Sequence, residues 1–373
     1  MDLESAKRRL SELFKKHCAP AMPEPGTPLA VYGAGSCGRD ALHVLKRSGY
    51  RVVAVLDARF AAIGSVEGVP CLEPTSAEAI KLARSGVPIL VAVFNFSADT
   101  GVIDEALRNI GFAQVLPYST LFEAFPDRLK SNFWLAARYF WESHKQDLEH
   151  GLELWDDDAS RQIYLKLVEL RLSGNFQLLR TPDLKHQYFP VDIIPPRQPL
   201  RFVDGGAFNG DTMSAIRRFE VERIAGFEPD PVNFSALCHW VEENNLGAKT
   251  ELFQCGLGAK SDKRRFQQSG NASSAFSEKG QTMTDIVAMD EVLEGFAPTF
   301  IKLDIEGAEI EALKGGEALI RKHRPRIAAC VYHLPAHLWE VPLLLRDLLP
   351  SHSLLLRYHG FNGFDAVAYA IEP

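Results

Sequence analysis

The chain has 373 residues, a formal charge of −7, 46% hydrophobic residues and 24% charged residues. This length implies two or three domains, and the balance of apolar and charged residues is that of a globular protein with real cores, which excludes fibrous and disordered classes. The acidic excess argues against a nucleic-acid footprint, no apolar run approaches the roughly 18 residues of a membrane helix, and six scattered cysteines without a CxxC pair exclude a zinc ribbon and fit free thiols in a reducing cytoplasm.

Residues 1–26 read as an amphipathic helix, MDLESAKRRLSELFKKH, followed by a Pro-rich tether. The helix lacks the apolar core of a signal peptide, so the expected location is cytoplasmic. Residues 27–125 alternate between strand and helix: LAVYGAG, DALHVLKRSG, RVVAVLD, SAEAIKLARSG, VPILVAVFNF, DEALRNIGF and VLPY. That order predicts a Rossmann-like domain with a parallel sheet. Within it Gly33-Ala34-Gly35-Ser36-Cys37-Gly38 fits GxGxxG between a strand and a helix, and Asp57 closes the next strand. In the dinucleotide fingerprint the glycines allow the turn, the approach to a pyrophosphate and the packing of helix on sheet, while the acid takes a ribose diol. Gly33, Gly35, Gly38 and Asp57 are therefore candidates for a nucleotide or nucleotide-sugar, against a domain that keeps the turn only to fold or to bind a partner. A nicotinamide-dependent oxidoreductase would use the same loop. No proton donor for hydride transfer stands out downstream, and Asn95 alone is weak support.

Residues 126–198 read as a helical connector. Trp134, Tyr139, Phe140 and Trp141 are expected to pack on neighbouring elements, and Asp156-Asp157-Asp158 to open a helix, where acids complement the dipole. YFPVDIIPPRQP marks the boundary, because its prolines cannot continue a helix.

Residues 199–373 form a second alternation: LRFVDGG, RIAGFEPD, KTELFQCG, TFIKLDIEG, RIAACVYH, LLLRYH and DAVAYAI. The last two strands are joined by a short glycine-containing loop and predict an antiparallel hairpin closing a mostly parallel sheet. The expected fold is thus α/β, with two Rossmann-like doubly wound domains joined by the connector. Asp204-Gly205-Gly206-Ala207-Phe208-Asn209-Gly210-Asp211 lies between a strand and a helix without GxGxxG spacing. A longer turn of small residues lets an amino-acid-like group lie against backbone. Glu228 closes the following strand, where a carboxylate can accept both ribose hydroxyls. Loop, ribose acid and terminal hairpin, in that order, describe a class I S-adenosylmethionine-dependent methyltransferase. Asp204, Gly205, Gly206, Ala207, Gly210, Asp211 and Glu228 are the cofactor-binding candidates.

Three stretches resemble the FkbM-type methyltransferases: FVDGGAFNGD (202–211), GFEPD (226–230) and FIKLDIEGAE (300–309), strengthened by YHLPAHLW (332–339). The resemblance covers about residues 186–373 and leaves the N-terminal domain outside. It implies O-methylation, often of sugar hydroxyls in glycans or glycosylated natural products, with Asp204, Gly206, Gly210 and Glu228 holding S-adenosylmethionine.

Methyl transfer to an alcohol requires alignment and removal of a proton. His333 ends RIAACVYH at the carboxyl edge of the sheet, where ligands bind in open α/β folds, and its imidazole titrates in the useful range. It reads as a base or substrate ligand, or as a satisfied edge histidine. Asp304 and Glu306 end the preceding strand and, two residues apart, are expected to face the same way. They are candidates for a base or for holding a divalent cation against a sugar diol. Alternatively, Lys302 pairs with Asp304. Glu309 reads as a helix start. Ser273, with Asn271 and Ser274, belongs to a polar loop that is a turn or, by the resemblance, a cofactor or substrate lip. His337, Trp339, Arg357 and His359 are candidates to line a sugar pocket. Lys263-Arg264-Arg265 and the run from Arg321 to Arg324 read as solvated ends of elements. The acceptor is expected to be a sugar or glycan, with no nucleic acid or membrane span; metal dependence and homo-oligomerisation stay open. A non-enzymatic alternative makes the chain a cofactor-binding scaffold for glycan assembly.

Overall fold

The computed structural model describes residues 1–16, 20–129, 133–267, 275–276, 280 and 282–372. The chain divides into two compact units. The first comprises Met1–Glu149, Gln162–Leu184 and Tyr358–Asp365, the second His150–Arg161, Lys185–Arg357 and Ala366–Pro373. Residues 126–198 thus contribute to both.

The first unit holds strands β1 (Pro28–Tyr32), β2 (Arg51–Leu56), β3 (Ser65–Val66), β4 (Val69–Leu72), β5 (Ile89–Val91) and β6 (Val115–Pro117). They form one sheet in the order β3-β4-β2-β1-β5-β6. All its pairings except β3 with β4 are parallel. The short apolar runs of β1 and β5 are buried because helices cover the sheet, as parallel strands require. Ala30, Leu56 and Val91 pack with Leu107 and Phe112 in this core. Ser76 and Asp99 start two of the helices, their side chains accepting from the Ala79 and Val102 amides. The β3–β4 hairpin has no counterpart among the predicted elements. Its turn, Glu67-Gly68, has φ of 48° and 80°, a type I′ geometry whose usual first residue is Asn or Asp rather than Glu. In the same unit Trp134 and Trp141 are buried, and the Arg171 guanidinium lies 5.2 Å and 5.5 Å from their rings. The two connector tryptophans therefore pack, as expected, whereas Tyr139 is exposed because it lies on the outer face of its short helix. Asp158 does begin a helix, Asp158–Ser173.

The second unit is built on β7 (Leu200–Gly205), β8 (Val221–Phe227), β9 (Thr250–Phe253), β10 (Gly256–Leu257), β11 (Asp262–Gln267), β12 (Ala275–Phe276), β13 (Thr282–Val287), β14 (Phe300–Leu303), β15 (Arg326–Cys330), β16 (Ser353–Tyr358) and β17 (Ala366–Ile371). Its main sheet runs β16-β17-β15-β14-β7-β8-β9. From β15 through β14 and β7 to β9 the strands are parallel, and β17 is antiparallel to β15. The strand order reverses between β7 and β14, so the carboxyl ends of these two strands flank the crevice where open α/β sheets bind ligands. A smaller sheet, β10-β13-β11-β12, was not expected. It places Lys263-Arg264-Arg265 inside β11 rather than at an element's end. Lys263 faces its cross-strand partner Asp285, Nζ to Oδ1 2.8 Å. The charge run hid the strand because Phe266 is the one large apolar side chain this stretch buries.

Candidate active site

The loop after β7 is bent against the end of β14. Gly206 has φ of 77°, and a Cβ there would lie 2.0 Å from the Asp304 carbonyl oxygen. No side chain fits that approach. The Gly206 and Ala207 amides donate to the Phe227 carbonyl at 3.0 and 2.9 Å, tying the loop to β8. Asp211 then opens the helix Asp211–Ile216.

Glu228 follows β8 directly and is 5% exposed. Its Oε2 accepts from the Phe208 amide at 2.9 Å and its Oε1 from the Asp230 amide at 2.8 Å. Asp230 caps the next helix, with Pro231 in its first turn, and this turns the chain away immediately after Glu228. Burial pushes the Glu228 carboxyl up to about 7, despite the two amides and Lys302. Each oxygen still has acceptor capacity beyond its one amide.

Asp204 is fully buried beside Lys302, Oδ1 to Nζ 2.9 Å. The two residues are register partners on β7 and β14, so Lys302 pairs with Asp204 rather than with Asp304. Lys302 Nζ also donates to the Gly206 carbonyl. Burial pushes the Asp204 carboxyl up, and neither oxygen accepts a well-aligned hydrogen bond.

Asp304 and Glu306 do converge, but strand alternation is not the reason. β14 ends at Leu303, and Glu306 sits in a turn with φ of 54°, a left-handed conformation that a non-glycine residue holds only under constraint. His333 Nε2 lies 3.2 Å from Asp304 Oδ1 and 3.8 Å from Glu306 Oε1. Asp304 Oδ2 accepts from the Tyr188 hydroxyl at 2.6 Å, and Oδ1 from the Tyr332 hydroxyl at 3.5 Å. Burial raises the Asp304 carboxyl, but His333, Lys302 and Tyr188 outweigh it and hold it well below the usual carboxylate range.

Glu309 begins the helix Glu309–Gly315, yet its carboxylate turns inward and is fully buried. Oε1 accepts from His333 Nδ1 at 2.7 Å and from the Ile305 amide at 3.0 Å, and Oε2 lies 3.1 Å from His337 Nδ1. Burial lowers the His333 imidazole, but Glu309, Asp304 and Glu306 outweigh it and hold the ring well above its usual pKa.

Tyr188, Tyr332 and Glu309 are the members of this cluster that were not expected there. Tyr188 was hidden in a boundary segment. Its φ of 66° is a strained setting for a bulky residue, and no local pattern announces it. Of the candidate pocket residues, His337 belongs to the cluster and Trp339 is buried. Arg357 is engaged by Asp157 and Asp192 at 2.8 and 2.7 Å, and His359 belongs to the first unit. Ser273, Asn271 and Ser274 lie outside the described residues. Among the described residues, no group of three or more His, Cys, Asp or Glu side chains is placed to hold a metal ion.

In the first unit Gly33 has φ of 104°, and a Cβ on Gly38 would lie 2.0 Å from the Gly33 carbonyl oxygen, so both glycines are required by the turn itself. Gly35 faces open space. Asp57 Oδ2 accepts from the Ala34 amide at 2.8 Å and from Arg59 Nη2 at 3.0 Å. Its Oδ1 accepts from the Arg59 amide and Nε at 2.8 and 3.0 Å. The Arg59 side chain, outweighing burial, pulls the Asp57 carboxyl down to about 2. Asn95 Oδ1 accepts from the Ser97 and Ala98 amides and closes a local turn.

Comparison with known proteins agrees with this geometry. Residues 204–362 match the family model described as the methyltransferase FkbM domain. The crystal structure of methyltransferase FkbM from Methylobacillus flagellatus KT superposes with a TM-score of 0.80 and 20% sequence identity, over 98% of this chain and 98% of that one. At that identity the likeness concerns the fold, and it extends over both compact units. A structure titled as a putative rRNA-methylase from Clostridium thermocellum aligns at a TM-score of 0.30 with 15% identity, over 46% of this chain and 84% of that one, too low to bear on the fold. No curated protein matches the chain. Residues 204–362 thus match a methyltransferase FkbM domain, and they include both the Asp204–Asp211 loop and the His333 cluster.

Proposed function

We propose that the chain is an S-adenosylmethionine-dependent O-methyltransferase whose acceptor is a hydroxyl of a sugar or glycan. The observation that carries this reading is Glu228, a buried carboxylate next to the glycine loop of an FkbM domain, with acceptor capacity left on both oxygens. The residues present suit the cofactor. Glu228 would hold its ribose hydroxyls, the Gly206 and Gly210 turn would admit its amino-acid end against backbone, and acids at this edge, Asp211 and Asp304, would complement its sulfonium and ammonium groups. When bound, the cofactor supplies a methyl group already activated by its sulfonium charge.

The chain's own residues must then orient the acceptor and remove its proton. Asp304 is engaged by Tyr188, Tyr332 and His333. Glu306, held at the rim by its turn, is the group we assign to take the proton, with Asp304 and His333 fixing it and the acceptor. The proton released from the acceptor hydroxyl would pass to Glu306 as the hydroxyl oxygen takes the methyl group that the bound cofactor would supply. The sugar acceptor rests on the family resemblance together with hard oxygen acceptors, Asp304 and Glu306, suited to a polyol.

The test is calorimetric titration with S-adenosylhomocysteine, followed by mass spectrometry of a sugar and glycan panel incubated with enzyme and methyl donor. Saturable binding and a methylated product are expected. A folded chain that binds no S-adenosylhomocysteine would overturn the reading, and binding without any methylated sugar would leave the scaffold alternative in its place.

A further inference from the structure

The groups that face His333 come from every element packed around it. Asp304 and Glu306 follow β14, Glu309 opens the next helix, His337 opens the helix His337–Leu348, and Tyr332 precedes it in the chain with ring centroids 4.2 Å apart. Tyr188 and Lys302 lie behind Asp304 and Asp204. The imidazole is 1% exposed and meets one carboxylate at each ring nitrogen, Glu309 at 2.7 Å on Nδ1 and Asp304 at 3.2 Å on Nε2.

A neutral imidazole has one N–H and one lone pair. Glu309 is hydrogen-bonded to Nδ1 and Asp304 stands at ion-pair distance from Nε2, so the pair of carboxylates favours an N–H on both nitrogens. A neutral ring would set a nitrogen lone pair against a buried carboxylate, leaving an unpaired charge in a low-dielectric site. Glu309 is the anchor of this arrangement because its carboxylate lies between both histidines, Oε1 hydrogen-bonded to His333 and Oε2 3.1 Å from His337 Nδ1 at ion-pair distance. It is itself fixed by the Ile305 amide at the start of the turn that carries Glu306.

We propose that Glu309 is the positioning residue of this site, clamping His333 as a permanent imidazolium that orients Asp304 and Glu306 and does not act as the proton acceptor. This deepens the methyltransferase reading and rests on it for its catalytic meaning, while the charge state of His333 can be measured without any acceptor. From the start of its own helix, the clamp reaches the Glu306 turn through Ile305, the His333 bend, and the helix begun by His337. A merely structural Glu309 would tolerate glutamine, which keeps the shape and loses the charge.

The experiment is ring-nitrogen NMR on full-length chain labelled with 15N-histidine, with His333 assigned by its loss in His333→Gln, recorded from pH 6 to 8.5. In the wild type, both His333 nitrogens are expected in the protonated range throughout. In Glu309→Gln the ring should titrate inside that window, a downward shift of at least one pH unit. His337→Asn should leave His333 protonated. A wild-type His333 that is neutral at pH 7, or a Glu309→Gln variant with an unchanged His333 titration, would overturn the proposal. If Glu309→Gln fails to fold, the wild-type titration decides alone. S-adenosylhomocysteine titration of the same samples separates the two readings: no binding with an intact imidazolium sinks the methyltransferase and leaves the clamp, and binding with a neutral His333 does the reverse.

Discussion

The two glycine loops have the same architecture and differ in what their acids have left to offer. Each follows a parallel strand, starts a helix, and is watched by a carboxylate at the end of the next strand. Asp57 accepts four hydrogen bonds, three of them from Arg59, and is pulled down to about 2. Glu228 accepts two, both from backbone amides, and burial pushes it up to about 7. A saturated carboxylate has no lone pair for a ribose hydroxyl, whereas an under-bonded buried one gains from meeting one. The lesson is that a fingerprint locates a turn, and the partners of its acid decide whether the turn is a site.

The comparison can be broken most directly by exchanging the acids for alanine. If Glu228 holds the ribose as proposed, Glu228→Ala removes two charge-assisted hydrogen bonds, about 3 kcal/mol or more, so S-adenosylhomocysteine affinity should fall at least ~100-fold. Asp57→Ala should leave that affinity unchanged. Equal losses in the two variants, read by calorimetry, would erase the distinction.

The glycines offer a second contrast. Gly206→Ala forces a Cβ into the Asp304 carbonyl at positive φ and should destabilise by about 2–3 kcal/mol. Gly35→Ala meets open space at an N-cap and should cost under about 1 kcal/mol. Urea denaturation of the two variants measures both.

A pH series sharpens the comparison further. In the proposed complex the ribose hydroxyls would donate to the ionised Glu228, so binding would favour its carboxylate form. With a folded value of about 7, affinity should rise about tenfold from pH 6 to pH 8, and the slope should vanish in Glu228→Gln. The linked stability term has the opposite sign. The raised pKa means that the folded state holds an extra proton between the unfolded value and about 7, so without ligand this contribution is full at acid pH and is lost as pH rises through that window.

Arg59→Ala gives the smallest effect. Asp57 is depressed in the folded state, so its contribution is present above the unfolded value and lost as pH falls toward about 2. Releasing Arg59 should move that loss to higher pH in acid unfolding, with methyl-donor binding untouched.

Several features were legible along the chain because they depend on local spacing. A strand, a loop of small residues, a helix and an acid at the next strand end lie within thirty or so residues, and the terminal pair of strands is joined by a short loop. The β3–β4 hairpin was missed because Glu67 replaces the usual turn residue, and β11 because its charges masked the alternation. The predicted convergence of Asp304 and Glu306 held, though a strained turn rather than strand periodicity produces it.

The sequence by itself determined the alternation of elements, the two glycine turns, and Glu228 as the residue directly after a strand, since these follow from periodicity and from which residues tolerate positive φ; His333 was read as a strand end but lies in a bend beyond β15, which closes at Cys330. Only the tertiary structure decided how each charge is partnered. Lys302 meets Asp204 because register sets β14 beside β7. Tyr188 reaches Asp304 across more than a hundred residues of chain. Glu309 lies between two histidines from two other elements. Such partnerships depend on long-range packing, and the state of every buried acid and imidazole here depends on them, because in a low-dielectric interior a charge persists only where a partner or a hydrogen bond holds it.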